Sequence, residues 1–227
     1  MIGTSQSAQV LYSTRTFRSL LDALARPGKI NQLENPHFLG NALSYFSQMT
    51  ASDTLINMYA LGALLTLLDR ETTFIMAADG QWLPRTDSAV QWTMLRSGSN
   101  TVNAEQAAFA FFCDGGNGKL LAQLSVGTLL EPELSATALY CVEQLTSGED
   151  ADAAKKREDG ITLELRGPGI QELRTANVVG LSESDIKAIL FARQNYPLGI
   201  DVYLVDGTGR CLGLPRTTRI RVLSKEK

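Results

Sequence analysis

A mixed α/β fold, one sheet flanked by helices in a single domain over residues 1–227, is what this sequence predicts. Three observations lead there. Apolar runs of strand length alternate with segments whose apolar residues recur at helical spacing. The middle runs, such as residues 107–113, are apolar without interruption, as strands covered on both faces require. Gly, Pro, Asn and Asp punctuate the changes of period. At this length folding removes roughly 70% of the unfolded chain's surface from water, so the core needs neither disulfide nor metal.

Residues 14–25 place Phe17, Leu20, Leu21 and Leu24 at helical spacing, with Ser13 or Thr14 as N-cap and Pro27-Gly28 as the stop. Residues 29–50 are polar and mixed, interrupted by Pro36 and Gly40, and predict a surface crossing with a short element near 42–46. A second helix is expected over 54–68 behind Ser52 or Asp53, apolar on nearly every side and therefore buried. Residues 72–78 read as a strand, 88–96 as a short helix, 107–113 as a covered strand, and 114–118 as the turn ending it. Residues 136–145 and 160–165 both read as strands and predict a hairpin. Its connection, 146–159, carries eight charged residues and no large apolar side chain, as in a solvated, mobile loop. A third helix is expected over 182–194, capped by Ser182 with Asp185 three residues on and burying Ile186, Ile189 and Leu190. Residues 200–205 and 210–214 form a hairpin through Asp206-Gly207-Thr208-Gly209, and 219–223 form a last strand.

Charge narrows the function classes. With 21 Lys and Arg against 24 Asp and Glu, the net charge is -3 and the isoelectric point near 5.3, the wrong sign for binding chiefly to nucleic acid or anionic membrane. Cys113, Cys141 and Cys211 stand far apart in apolar surroundings with no Cys-x-x-Cys, and read as core residues. The first twelve residues show no secretory pattern, so a cytoplasmic protein is expected. The longest apolar stretch, 55–68, is short of the roughly 20 residues that span a bilayer.

The residues for most familiar chemistries are missing. The single histidine, His37, sits beside Pro36 in a polar stretch and reads as a surface residue, so no imidazole-based triad or acid/base pair is available. Clustered metal ligands and the two commonest phosphate loops are absent, and Gly115-Gly116-Asn117-Gly118-Lys119 reads as a turn. All seven lysines read as solvated, whereas a Schiff base needs a desolvated one. No cofactor and no metal are expected.

Four Pro/Gly/Arg-rich segments remain: Ala25-Arg26-Pro27-Gly28, Arg166-Gly167-Pro168-Gly169-Ile170, Pro197-Leu198-Gly199-Ile200-Asp201 and Leu214-Pro215-Arg216-Thr217-Thr218-Arg219. A planar guanidinium beside hydroxyls and glycine N-H groups suits capture of phosphate or carboxylate. The alternative is that Pro and Gly turn the chain while the arginines pair with local acids such as Asp22 or Asp201, or serve an interface. The candidate anion-binding or interface residues are therefore Arg26, Gly28, Arg166, Gly167, Gly169, Asp201, Arg216, Thr217 and Thr218, with a phosphate-bearing ligand as the candidate small-molecule partner.

In order and spacing these segments resemble the PhnH family of the bacterial carbon-phosphorus lyase system. Phe17-Arg18-Ser19-Leu20-Leu21 with Ala25-Arg26-Pro27-Gly28 is similar to the family's opening helix and turn, Leu165-Arg166-Gly167-Pro168-Gly169-Ile170 to its middle motif, and Tyr196-Pro197-Leu198-Gly199-Ile200-Asp201 with Leu214-Pro215-Arg216-Thr217-Thr218 to its C-terminal signature. The charged stretch 146–159 looks longer than the family's usual connection. The resemblance implies an accessory subunit working with PhnG, PhnI and PhnJ to convert ATP and alkylphosphonate to alpha-D-ribose 1-phosphonate 5-triphosphate. It places nucleosidase-like chemistry on PhnI, with PhnG, PhnH and PhnL beside it, and cleavage of the C-P bond on PhnJ. It also implies a reduced pyridoxal-phosphate-dependent transferase fold without the cofactor, and a homodimer when isolated. A stand-alone binder or enzyme for a small phosphorylated ligand and a dimeric structural protein are the readings from other classes.

Overall fold

The computed structural model describes residues 3–40, 57–148 and 160–223. The short element near 42–46, the caps Ser52 and Asp53, and most of the charged connection lie outside them. In chain order the elements are α1 (Gly3–Ala25), β1 (Ile30–Gln32), α2 (Met58–Leu67), β2 (Thr73–Ala78), β3 (Gln81–Trp82), α3 (Ser88–Ser97), β4 (Asn100–Thr101), β5 (Phe109–Phe112), α4 (Gly118–Leu121), β6 (Thr137–Val142), β7 (Gln144–Ser147), β8 (Ile161–Arg166), β9 (Arg174–Val179), α5 (Glu183–Ala192), β10 (Asp201–Asp206), β11 (Arg210–Leu214) and β12 (Arg219–Leu223).

The mixed α/β class holds, but the strands divide between two sheets where one was expected. The larger runs β1-β11-β10-β6-β5-β2-β3, with β4 also on β2. Its centre is parallel, β10 on β6 on β5 on β2, while β11 is antiparallel to β10 and β1 to β11. The smaller sheet, β12-β8-β9-β7, is antiparallel.

Alternation along the central strands makes three layers. Phe74, Met76, Phe111, Leu139, Cys141, Tyr203 and Val205 face a cluster with Leu20 and Ala23 of α1, Leu61 and Leu64 of α2, and Val90 of α3. Ala77, Phe112, Ala138, Tyr140, Val202 and Leu204 face the opposite way, toward Leu163, Leu165, Ala176 and Val178 of the smaller sheet and Ile186 and Ile189 of α5. Both faces of the middle strands are thus dry, and their sequences read as unbroken apolar runs for that reason.

Several expectations shift. The first helix extends back to Gly3. Its buried positions include Tyr12, Thr16, Leu20 and Ala23, spaced 4, 4 and 3, while Phe17 and Leu21 are about half exposed. The second helix starts at Met58, and Asn57 is its N-cap, accepting from Ala60 N and donating to Val205 O. The hairpin expected between 136–145 and 160–165 does not form. The run breaks at Glu143, β6 stays in the large sheet, β7 enters the small one, and β9 inserts between β7 and β8. The third helix, its capping box and the β10–β11 hairpin match expectation. The turn after β5 ends at Asn117, and Gly118 already belongs to α4.

Candidate functional site

The four Pro/Gly/Arg-rich segments meet in one continuous seam where the smaller sheet abuts the larger. Gly169 lies against the Ala25 carbonyl and Pro27, joining the middle segment to the end of α1. Gly28 is buried against Leu165 and Arg174, where a Cβ would stand 2.7 Å from the Arg174 Cβ. On the other side Gly167 would bring a Cβ within 3.0 Å of the Thr217 carbonyl, and Gly199 would do the same at the Cβ of Arg216. The order of contact is first, second, fourth and third segment. Asp201 opens β10 and Leu214 closes the antiparallel β11, so the fourth segment and Asp201 sit at the N-terminal end of the parallel strands. Ligands of open α/β sheets ordinarily bind at the other end.

The arginines do not converge on one point. Arg26 pairs with Asp22, whose second oxygen takes Lys29 Nζ at 2.7 Å. Arg166 Nε holds Glu164 at 3.3 Å from an exposed position. Arg216 is mostly buried: its backbone N-H donates to Asp201 Oδ1 at 2.7 Å, its Nη2 to Oδ2 at 3.3 Å and its Nη1 to the Pro132 carbonyl at 2.6 Å. Thr217 is half-buried. Thr218 closes the turn by donating its N-H to Pro215 O at 2.9 Å, and its buried Oγ1 has no partner among the described residues.

Sequence reasoning missed Arg193, the C-cap residue of α5. Its guanidinium donates to the carbonyls of Ile200 and Leu214 at 3.0 Å and Pro215 at 3.3 Å, fastening the helix end to β10 and β11. Desolvation pulls its pKa down to about 10, partly opposed by Asp201, so it keeps its charge at neutral pH. The available signal was an arginine in the last turn of a helix, where a cation meets the unsatisfied carbonyls.

The opposite edge, at the C-terminal ends of β2, β5, β6 and β10, holds a separate cavity of about 670 Å³ lined by Asn57, Cys113, Asp114, Cys141 and Glu143 among others. Its Asp114 is held by backbone and amide donors, and its thiols are buried. Asp114 accepts from Asp79 N at 2.7 Å and Asn117 Nδ2 at 2.8 Å. Burial, reinforced by Asp114, pushes the Cys113 thiol up to about 12, and Cys141 is raised well above its ordinary value by burial and by Cys113. Beside it, the buried Asp185 carboxylate accepts from the N-H groups of Gly116 and Asn117 at 2.7 Å and from Ser182. One carboxylate thereby holds both the glycine-rich turn and the start of α5, which is a structural use of Gly115 to Lys119. His37 is exposed at the start of a 3-10 turn. Among the described residues no helix is long and apolar enough to cross a membrane, and no three His, Cys, Asp or Glu groups stand close enough to hold a metal ion.

The family model described as bacterial phosphonate metabolism protein (PhnH) matches residues 4–221. The chain is similar to the "Alpha-D-ribose 1-methylphosphonate 5-triphosphate synthase subunit PhnH" of Rhizobium meliloti (strain 1021), 28% identical over 215 residues that cover 93% of this chain and 91% of that one. It is also similar to the "Putative C-P lyase subunit protein HtxG" of Stutzerimonas stutzeri, 32% identical over 127 residues, 56% of this chain and 57% of the relative.

Proposed function

Because the chain belongs to the PhnH family of bacterial phosphonate metabolism proteins, we propose that it is an accessory, non-catalytic subunit of a carbon-phosphorus lyase core complex. In that role it supports conversion of ATP and alkylphosphonate to alpha-D-ribose 1-phosphonate 5-triphosphate. The observation that carries this reading is the family match over nearly the whole chain, seconded by a relative aligned over 93% of this chain and 91% of its own length, whose name is that of a synthase subunit. The site geometry favours support over chemistry. Arg26, Arg166 and Arg216 are engaged by Asp22, Glu164 and Asp201, and buried thiols with raised pKa values are poor nucleophiles because the thiolate is the reactive form.

Its partners in this reading are the PhnG, PhnI and PhnJ counterparts, its compartment is the cytoplasm, and in isolation it forms a homodimer. The exposed Leu129, Leu130 and Leu134 lie on a loop tied to Arg216 through Pro132 and are available as contact surface. The fold reads as a reduced pyridoxal-phosphate-dependent transferase without its cofactor. In support, Lys119 and Lys187 are exposed and Lys29 is ion-paired at the surface of α1, so none of these three is the desolvated amine a Schiff base needs.

Adenine release from ATP with methylphosphonate tests the role. The pure chain alone is expected to release none, while the mixture of partner subunits loses its activity when this chain is left out. Release by the chain alone, or full activity without it, overturns the accessory reading.

A further inference from the structure

Between the C-terminal end of α5 and the turn from β11 to β12 lies a cavity of about 660 Å³. Its charged lining residues are Arg193, Arg216 and Arg219, with Gln194, Tyr196 and Thr218 beside them, and no carboxylate lines it. The carboxylate of Asp201, which Arg216 holds, lies outside that lining, so three guanidinium groups line the cavity with no acid among them.

Two of the three cations are incompletely compensated. Arg193 is half-buried, yet all of its bonds go to neutral carbonyls and its buried Nε has no partner among the described residues. A desolvated charge balanced by carbonyl dipoles and the end of a helix leaves positive potential in the low-dielectric space beside it. Arg219 stands exposed at the rim with no ion pair among the described residues. Thr218 adds a buried hydroxyl, also without a partner. Pro168, Leu190 and Ile220 give the wall its apolar part, with Thr217 beside them.

We propose that this cavity binds a phosphorus oxyanion carried on a small organic body, a phosphate ester or a phosphonate. Arg219 is its direct clamp, Arg193 the fixed positive charge behind it, and Thr218 a hydroxyl donor. Arg26 and Arg166 are not part of it. The site goes beyond the accessory role and does not depend on it, since binding is read on this chain alone.

Calorimetry on the full chain, at constant ionic strength, with ATP, methylphosphonate and inorganic phosphate as probes tests the assignment. Saturable heat is expected with at least one of the organic probes. ATP alone marks a phosphate ester as the ligand class, and methylphosphonate alone marks a phosphonate. Arg219→Ala, at an exposed position, is expected to weaken binding about tenfold or more, as loss of a charge-assisted contact does. Thr218→Val, which keeps the side-chain shape, weakens it less. Arg96→Ala, on α3 across the large sheet, leaves it unchanged. No saturable heat from any probe with folded protein, or equal loss in Arg219→Ala and Arg96→Ala, overturns the site.

Discussion

Arg216 donates to Asp201 and to the Pro132 carbonyl with 19% of its side chain exposed, whereas Arg166 holds Glu164 with 62% exposed. The two ion pairs should therefore contribute unequally. Removing the guanidinium leaves Asp201 Oδ2 and the Pro132 carbonyl without their donor, while Oδ1 keeps the backbone N-H of residue 216, so Arg216→Ala is expected to lower the free energy of unfolding by about 2–4 kcal/mol. Arg166→Ala should cost less than about 1 kcal/mol, as exposed pairs do. Urea unfolding of both variants checks this, and equal losses would contradict the assigned burial. The thiols give a second test at this scale. All three cysteines are buried, and burial pushes Cys113 and Cys211 from 9.0 to about 12. Native protein at pH 8 should resist a thiol-specific disulfide reagent, with three thiols reacting after denaturation. The sign for stability follows: above pH 9 the unfolded chain releases these protons and the folded one does not, so stability falls as pH rises from 9 toward 12. Fast reaction of the native protein at pH 8 would contradict this. Of the candidate site, the sequence pattern made the four turn segments legible because Gly, Pro and Arg are locally distinctive. At Arg193 it offered only a cation at a helix end, because the role depends on carbonyls around the starts and ends of two distant strands meeting the end of α5.

At the scale of elements, the seam depends on close backbone approach. Gly169 has φ +80°, and a Cβ there would run into the Ala25 carbonyl at the end of α1, so both its conformation and its contact require glycine. Gly207, in the β10–β11 turn, has nothing within 4 Å of a Cβ. Gly169→Ala is expected to lose roughly 2 kcal/mol or more while Gly207→Ala stays within about 0.5 kcal/mol, and thermal unfolding of the pair tests the seam directly. A silent Gly169→Ala would show that the first and second segments are not packed as described. The same scale shows which elements could be read in advance. The capping box of α5 and the Asp206 to Gly209 turn are local signals, and both elements form where they point. The hairpin between 136–145 and 160–165 failed because pairing is not local. β9, with the polar sequence Arg174-Thr175-Ala176-Asn177, carries little strand pattern, yet it is the strand that lies between β7 and β8. The stripe on α1 was misplaced for a related reason. The backbone at Ala23 meets Gly213 of β11 at close range, Thr16 is buried as well, and Phe17 and Leu21 remain about half exposed.

For the whole molecule, the layers explain why the chemistry expected of an α/β enzyme is not found at its usual edge. The crevice at the C-terminal ends of the parallel strands is lined by Asp114, held by its own donors, and by buried thiols whose pKa values are raised. The four distinctive segments instead fasten the two sheets together at the opposite end. A chain built this way is suited to present rigid surfaces, with α1 offering Val10, Leu11, Phe17 and Leu21 and the 126–134 loop offering three exposed leucines. Membership of a larger assembly is therefore the central claim. Its most direct test is co-expression of the tagged chain with its PhnG, PhnI and PhnJ counterparts, followed by size-exclusion chromatography and native mass measurement at moderate salt. The account predicts co-elution in one assembly of defined mass containing this chain. Elution of this chain as a free monomer or homodimer, while the other three subunits assemble without it, would contradict it.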